Sequence, residues 1–180
     1  MYTLNLSLFY FFFDLSGHSL WSDDVIILFA EYLPYLIVLG VVIAVYHFWR
    51  LGQKNIAYGY MLAIISGGVA RGVASIIRLF YHHPRPPQAL HITSLFPETS
   101  YSFPSGHAIF FFALATSVYF INKGWGKILF ALSILIGLAR IAAGVHWPFD
   151  IIGGAVLGVI ISIIIQKIWK RYEGFNSKHF

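Results

Sequence analysis

Between Val25 and Ile165 the chain is a succession of apolar runs, each near the length of a membrane crossing, joined by short polar junctions. A spanning helix needs about 20 mostly apolar residues. Five runs approach that length: Val25 to Tyr46, Ile56 to about Tyr81, Ala108 to Ile121, Ile128 to Gly144 and Phe149 to Ile165. The third reaches full length only if its helix begins near Ser105. A sixth run, Leu4 to Phe13, is too short to span and is expected to lie in the headgroup layer as an interfacial helix. Charged residues make up only 11% of the chain, against about 25% in a soluble domain, too few to cover a water-facing surface. The expected fold is therefore an all-α integral membrane protein, a bundle of about five transmembrane helices with a short N-terminal interfacial helix. The 180 residues suit a single membrane-embedded domain, with residues 1–22 as the interfacial segment and 171–180 as a cytoplasmic tail. The N-terminus has neither the basic region nor the small-residue cleavage site of a secretory signal peptide.

The basic residues orient the bundle. Arg50 and Lys54, Lys123 and Lys127, then Lys167, Lys170, Arg171 and Lys178 flank the runs. With five spans all eight fall on one side, which the positive-inside rule makes cytoplasmic. Their positions assign the net charge of +5 to topology and not to a nucleic-acid partner. With no cysteine in the chain, disulfides, zinc–thiolate sites and thiol nucleophiles are excluded.

Four arginines escape that rule: Arg71, Arg78, Arg85 and Arg140. A charge within or near an apolar helix is expensive and points to function. Arg71 and Arg78 are seven residues apart, nearly two helical turns, and share a face. Arg71 is placed near mid-membrane and is expected to pair with Glu31, the only acidic residue well inside an apolar span. Arg85 follows His82-His83-Pro84 and is placed in a loop. The non-cytoplasmic ends of three runs then converge: "RLFYHHPRP" at residues 78–86, "PSGH" at 104–107 and "ARIAAGVHWPFD" at 139–150.

Several arginines without matching carboxylates call for an anionic ligand, because the guanidinium fork matches phosphate oxygens. Gly106 permits close backbone approach, a helix starting near Ser105 offers free N–H groups, and the Ser105 hydroxyl adds a donor. Arg78, Arg85, Arg140, Ser105 and Gly106 thus read as a phosphate cradle. A single arginine here could equally snorkel to headgroups; three clustered with histidines favour the cradle. Two histidines suit two-step phosphoryl transfer, one attacking phosphorus and one moving protons. Asp150, four residues after His146, can hold the far ring nitrogen of that histidine; taken alone, an aspartate at a helix start reads better as a partner of the helix dipole. Pro148 suits the first turn of a new helix, which brings Asp150 near.

These three blocks resemble the type 2 phosphatidic acid phosphatase family of integral membrane lipid phosphatases. The family pattern is Lys-x6-Arg-Pro, then Pro-Ser-Gly-His, then Ser-Arg-x5-His-x3-Asp. Here Arg78-x6-Arg85-Pro86, Pro104-Ser105-Gly106-His107 and Arg140-x5-His146-x3-Asp150 match in order and spacing, and the likeness covers roughly residues 25–168. Arg78 stands where the pattern has lysine, and Ala139 where it has serine. The resemblance implies His146 as nucleophile, Asp150 as its orienting partner and His107 as leaving-group acid. It implies Arg78, Arg85, Ser105, Gly106 and Arg140 as the phosphate site, with no metal and no cofactor. The implied partners are a phosphorylated membrane lipid and the bilayer, in a bacterial cytoplasmic membrane, with the site facing the periplasmic or extracellular side. Compactness and resemblance favour undecaprenyl pyrophosphate as substrate, ahead of phosphatidylglycerophosphate and the 1-phosphate of lipid A.

Three other readings fit less well. A vanadate-dependent haloperoxidase shares the phosphate motif but is soluble and larger. A non-catalytic lipid-phosphate binding or transport protein would more naturally lack His146 or His107. An anion channel would spread its arginines through the bilayer depth. His82 and His83 read as exposed interface residues of a loop from His82 to Phe103 that roofs the site. His18, His47, His91 and His179 read as surface or headgroup histidines. Gly154 and Gly158 form a Gly-x-x-x-Gly pair that favours close helix packing within the monomer.

Overall fold

The computed structural model describes residues 2–176, and every regular element in it is helical. Helix α1 covers Tyr2–Phe13, α2 Leu20–Ile27, α3 Leu33–Arg50, α4 Lys54–Phe80, α5 Pro86–Leu90, α6 Gly106–Ile121, α7 Lys123–Ala142 and α8 Pro148–Asn176. A π-helical turn, Leu28–Tyr32, joins α2 to α3 without a break, giving one helix of 31 residues. Lys178 and His179, with the end of the expected tail, lie outside the described residues. Among the described residues, four helices are long and apolar enough to cross a membrane: Leu20–Arg50, α4, α7 and α8 through Tyr172.

The fifth expected span, α6, has 16 residues and a length of about 24 Å, short for a hydrocarbon core of about 30 Å. It does not have to match that thickness, because it is surrounded by protein. It packs against α4, α7 and α8 and buries Ala108, Ile109, Phe111, Ala113, Leu114, Ala115, Ser117 and Val118. A helix apolar all round is a core helix.

Between helices in lipid there is little hydrophobic drive, so close contact and interhelical hydrogen bonds hold the bundle. The Gly154/Gly158 pair acts inside the monomer, as expected. A Cβ at Gly158 would stand 2.3 Å from the carbonyl oxygen of Ile109, and one at Gly154 would stand 2.9 Å from the Cβ of Ala108. One turn below, Ser117 and Ser162 hydroxyls lie 2.8 Å apart and tie α6 to α8.

Helix α1 is more than a surface anchor. Phe9 is fully buried, its ring 5.2 Å from that of Trp147 and 5.2 Å from that of Phe13. The amide of Phe149 donates to Asn5 Oδ1 at 3.1 Å. So α1 props the turn between α7 and α8 from outside. That turn is made by Gly144, at φ +79°, where residues with a Cβ are strained.

Candidate active site

The site lies where α4 ends, α6 begins and the α7–α8 turn passes, with the loop from Tyr81 to Ser105 laid across them. Arg85 is the N-cap of the short α5 and is buried. Its Nε donates to Ser100 O at 2.6 Å, and its Nη2 donates to Ser100 Oγ at 3.0 Å. Its Nη1 donates to Val145 O at 2.6 Å and lies 3.2 Å from His146 Nε2. Guanidinium has no acceptor, so Nε2 faces it with a lone pair and the ring proton sits on Nδ1. Nδ1 in turn lies 3.3 Å from Asp150 Oδ2.

Asp150 is held from three sides. Trp147 N donates to Oδ2 at 2.8 Å, the Ser102 hydroxyl donates to the same oxygen, and Ser105 N donates to the Asp150 carbonyl at 3.1 Å. Pro148 opens α8, which puts Asp150 in its first turn. Burial, then the charges of Arg85, Arg140 and Arg78, hold the His146 imidazole well below its ordinary value of 6.5; the ring is neutral at physiological pH. Burial also lowers Arg85 to about 10, against the raising effect of Glu98, and it stays cationic.

Arg140 is fully buried. Its Nη1 donates to Glu31 Oε1 at 2.9 Å and to Ala30 O at 3.3 Å, and its Nη2 pairs with Glu98 Oε1. The guanidinium also lies 5.4 Å from the ring centre of Phe96. The expected Arg71–Glu31 pair is therefore corrected: Glu31 pairs with Arg140. It sits in the π-turn, which packs against α7, and π-turns often occur where a functional group must be re-aimed.

Arg78 donates from Nη2 to Pro104 O at 2.6 Å and from Nη1 to Ser100 Oγ at 3.3 Å. Ser105 caps α6, its Oγ accepting from Ala108 N at 3.4 Å. Gly106 lies under two arginines: a Cβ there would be 3.2 Å from Arg71 Nη1 and 3.4 Å from Arg78 Nη2. His107, next along, is partly exposed, with its ring stacked on Phe111 at 6.4 Å. It has no hydrogen bond to another described residue. His82 stacks on Tyr101 at 4.4 Å, and His83 bonds to Pro84 O at 3.0 Å. Neither reaches the arginines.

Three residues of this cluster escape sequence reasoning. Glu98 bridges Arg85 Nη2 at 3.5 Å to Arg140. Ser100 receives Arg78 and Arg85, and Ser102 meets Asp150. A polar "ETSYS" before Pro104 was the available signal, since a lipid-side loop has little other use for it. Arg71, placed at mid-membrane from its position on α4, sends its guanidinium up to Gly106. A cavity of about 470 Å³ opens beside Arg85 and Glu98, lined also by Gln88, Ser94, Phe96 and Val145.

A model of the PAP2 superfamily matches residues 55–173. The chain is 31% identical over 164 residues to the bacitracin transport permease protein BcrC of Bacillus licheniformis, covering 90% of this chain and 79% of the relative. It is 28% identical to the undecaprenyl-diphosphatase BcrC of Bacillus subtilis, covering 91% and 83%. The crystal structure of Aquifex aeolicus LpxE superimposes with a TM-score of 0.71 at 33% identity, covering 91% of this chain and 95% of that one.

Proposed function

This chain, with several membrane-spanning helices, belongs to the PAP2 superfamily, and from that membership we propose that it hydrolyses undecaprenyl diphosphate to undecaprenyl phosphate and inorganic phosphate through a phosphohistidine on His146. The observation that carries the mechanism is the orientation of one ring. His146 Nε2 faces Arg85 while Nδ1 faces Asp150. The nucleophilic nitrogen is thus unprotonated and aimed at the anion site, and the carboxylate stabilises the cation that forms on attack.

Nε2 attacks the terminal phosphorus, and the bond to the bridging oxygen breaks with its electron pair. The departing lipid phosphate takes a proton from His107, which becomes cationic once the substrate's phosphates offset the surrounding arginines. Water then loses a proton to His107 and attacks the phosphohistidine; the P–N pair returns to Nε2 and inorganic phosphate leaves. Arg78, Arg85 and Arg140, with the first N–H groups of α6, neutralise charge on the transferring oxygens. The Nε atoms of Arg78 and Arg140 are buried donors with no acceptor among the described residues, as expected of groups that meet a phosphate. Glu98 and Asp150 are already engaged by arginine, serine and histidine, so the donor set suits an anion and not a divalent cation. EDTA should leave turnover unchanged.

The basic ends of α3, α4, α7 and α8 lie opposite the site, so the site faces the periplasmic or extracellular side. Ala89 is exposed on α5, and the chain has no cysteine. Ala89→Cys should be labelled by an impermeant maleimide added outside intact cells; labelling only in inverted vesicles would reverse the orientation. The substrate is tested by phosphate release in detergent from undecaprenyl diphosphate, phosphatidylglycerophosphate, lipid A 1-phosphate and phosphatidic acid. The diphosphate should show the highest kcat/KM, and a higher value for another lipid would replace it.

A further inference from the structure

Arg71 has no role in the chemistry above, yet it is the most unusual charge in the molecule. It lies on α4 two turns nearer the bilayer centre than Arg78, and no ion pair or side-chain hydrogen bond engages its guanidinium among the described residues. A cation at that depth without a counter-charge is costly. Its side chain does not end at mid-membrane: Nη1 reaches within 3.2 Å of where a Gly106 Cβ would stand, beside Arg78 Nη2 at 3.4 Å. Two guanidinium groups therefore converge on the first residue of α6, next to His107. They repel each other there unless an anion lies between or above them.

The position of this pair relative to His146 matters. Arg85 and His146 form one wall of the site, where the attacked phosphorus must sit. Arg71 and Arg78 meet at Gly106, the first residue of α6, next in the chain to His107. A diphosphate headgroup has one phosphate to be transferred and one that remains with the lipid. Resting on the diphosphatase reading above, we infer that Arg71 forms a second phosphate subsite beside Gly106, which holds the lipid-linked phosphate of a diphosphate substrate, with Arg78 standing between it and the transferred phosphate. Charge grows on that phosphate as the bridging bond breaks, so the Arg71 contact strengthens in the transition state. It sits beside His107, which protonates the same leaving group. Gly106 is then required for space: a side chain would press on both guanidinium groups and displace the donors.

The test compares wild type with Arg71→Ala and Arg71→Lys, purified in detergent. Two readouts are taken: kcat/KM for undecaprenyl diphosphate, and inhibition of that turnover by orthovanadate, which fills only the transferred-phosphate position. Loss of one charge-assisted contact should lower kcat/KM by about 10- to 100-fold in Arg71→Ala, with Arg71→Lys between the two. The vanadate concentration for half-inhibition should stay within about twofold, which also shows that the altered site is still folded. Unchanged kcat/KM would overturn the subsite and leave Arg71 as a snorkelling residue. A weakening of vanadate equal to the loss in kcat/KM would also overturn it, placing Arg71 on the transferred phosphate. Absence of diphosphate turnover in wild type would instead defeat the functional reading, and the subsite with it.

Discussion

Arg85 Nη1 stands 3.2 Å from His146 Nε2 and 2.6 Å from the carbonyl of the preceding residue, Val145. One guanidinium nitrogen thus fixes both the backbone that carries the histidine and the face that its ring turns inward. Behind the ring, Asp150 is anchored by the Trp147 amide and the Ser102 hydroxyl. The proposed nucleophile is oriented before any substrate arrives, and its freedom has already been lost in folding.

His146→Ala should abolish phosphate release. Asp150→Asn keeps the shape but removes the charge that supports the imidazolium, and should cost about 10²- to 10⁴-fold in kcat. Phosphate-release kinetics and trapping of a ³²P-labelled intermediate check both. Substantial turnover by His146→Ala would remove the mechanism.

Glu98 holds Arg85 and Arg140 together, and in the proposed reaction a substrate phosphate competes with its carboxylate for those donors. Glu98→Gln keeps the shape and weakens that competition. A partly exposed ion pair contributes up to about 1 kcal/mol, so KM should fall roughly fivefold and vanadate should inhibit at a correspondingly lower concentration. A raised KM would instead make Glu98 a clamp that the site requires.

The pH dependence of stability has a definite sign. His146 in the folded protein binds its proton only well below 6.5, the ordinary value that the unfolded chain retains. Between those two values the unfolded state carries the extra proton, so stability is fully present above about pH 6.5 and is lost as pH falls below it. Thermal unfolding in detergent from pH 8 to pH 5 should show this decline, and His146→Gln should flatten it. An equal decline in both proteins would place the titrating group elsewhere.

The α6–α8 contact should be the least tolerant of added volume. Gly158→Ala drives a methyl against the Ile109 carbonyl and should destabilise by about 1–3 kcal/mol. Gly68→Ala meets nothing within 4 Å, and alanine is the better helix former. Melting temperatures should fall for the first and hold or rise for the second.

The helices and the three spaced blocks are readable in one dimension, because apolar run length sets a span and local spacing sets which residues share a helix end. His146 and Asp150 are four residues apart across a helix start, so their meeting is local. Pro148 as the first residue of α8 follows from local chemistry too. The even placement of lysine and arginine at one set of helix ends likewise needs no tertiary information.

Glu31, Glu98 and Arg71 are different. Glu31 meets Arg140 because the π-turn packs on α7, and helix contacts are not written in either helix alone. Glu98 reaches the arginines because the Tyr81–Ser105 loop folds back, with Leu95 N bonded to Ala143 O and Ser102 N to His83 O. Arg71 looked like a mid-membrane charge because the sequence locates its Cα, whereas its guanidinium ends at Gly106, a side-chain length away. The sequence by itself determined the membrane bundle and the residues that start and end the helices at the site. Only the tertiary structure decided which charge meets which, since a long flexible side chain settles on the partner that packing brings within a few ångströms, and Coulomb energy falls with that distance and not with separation along the chain.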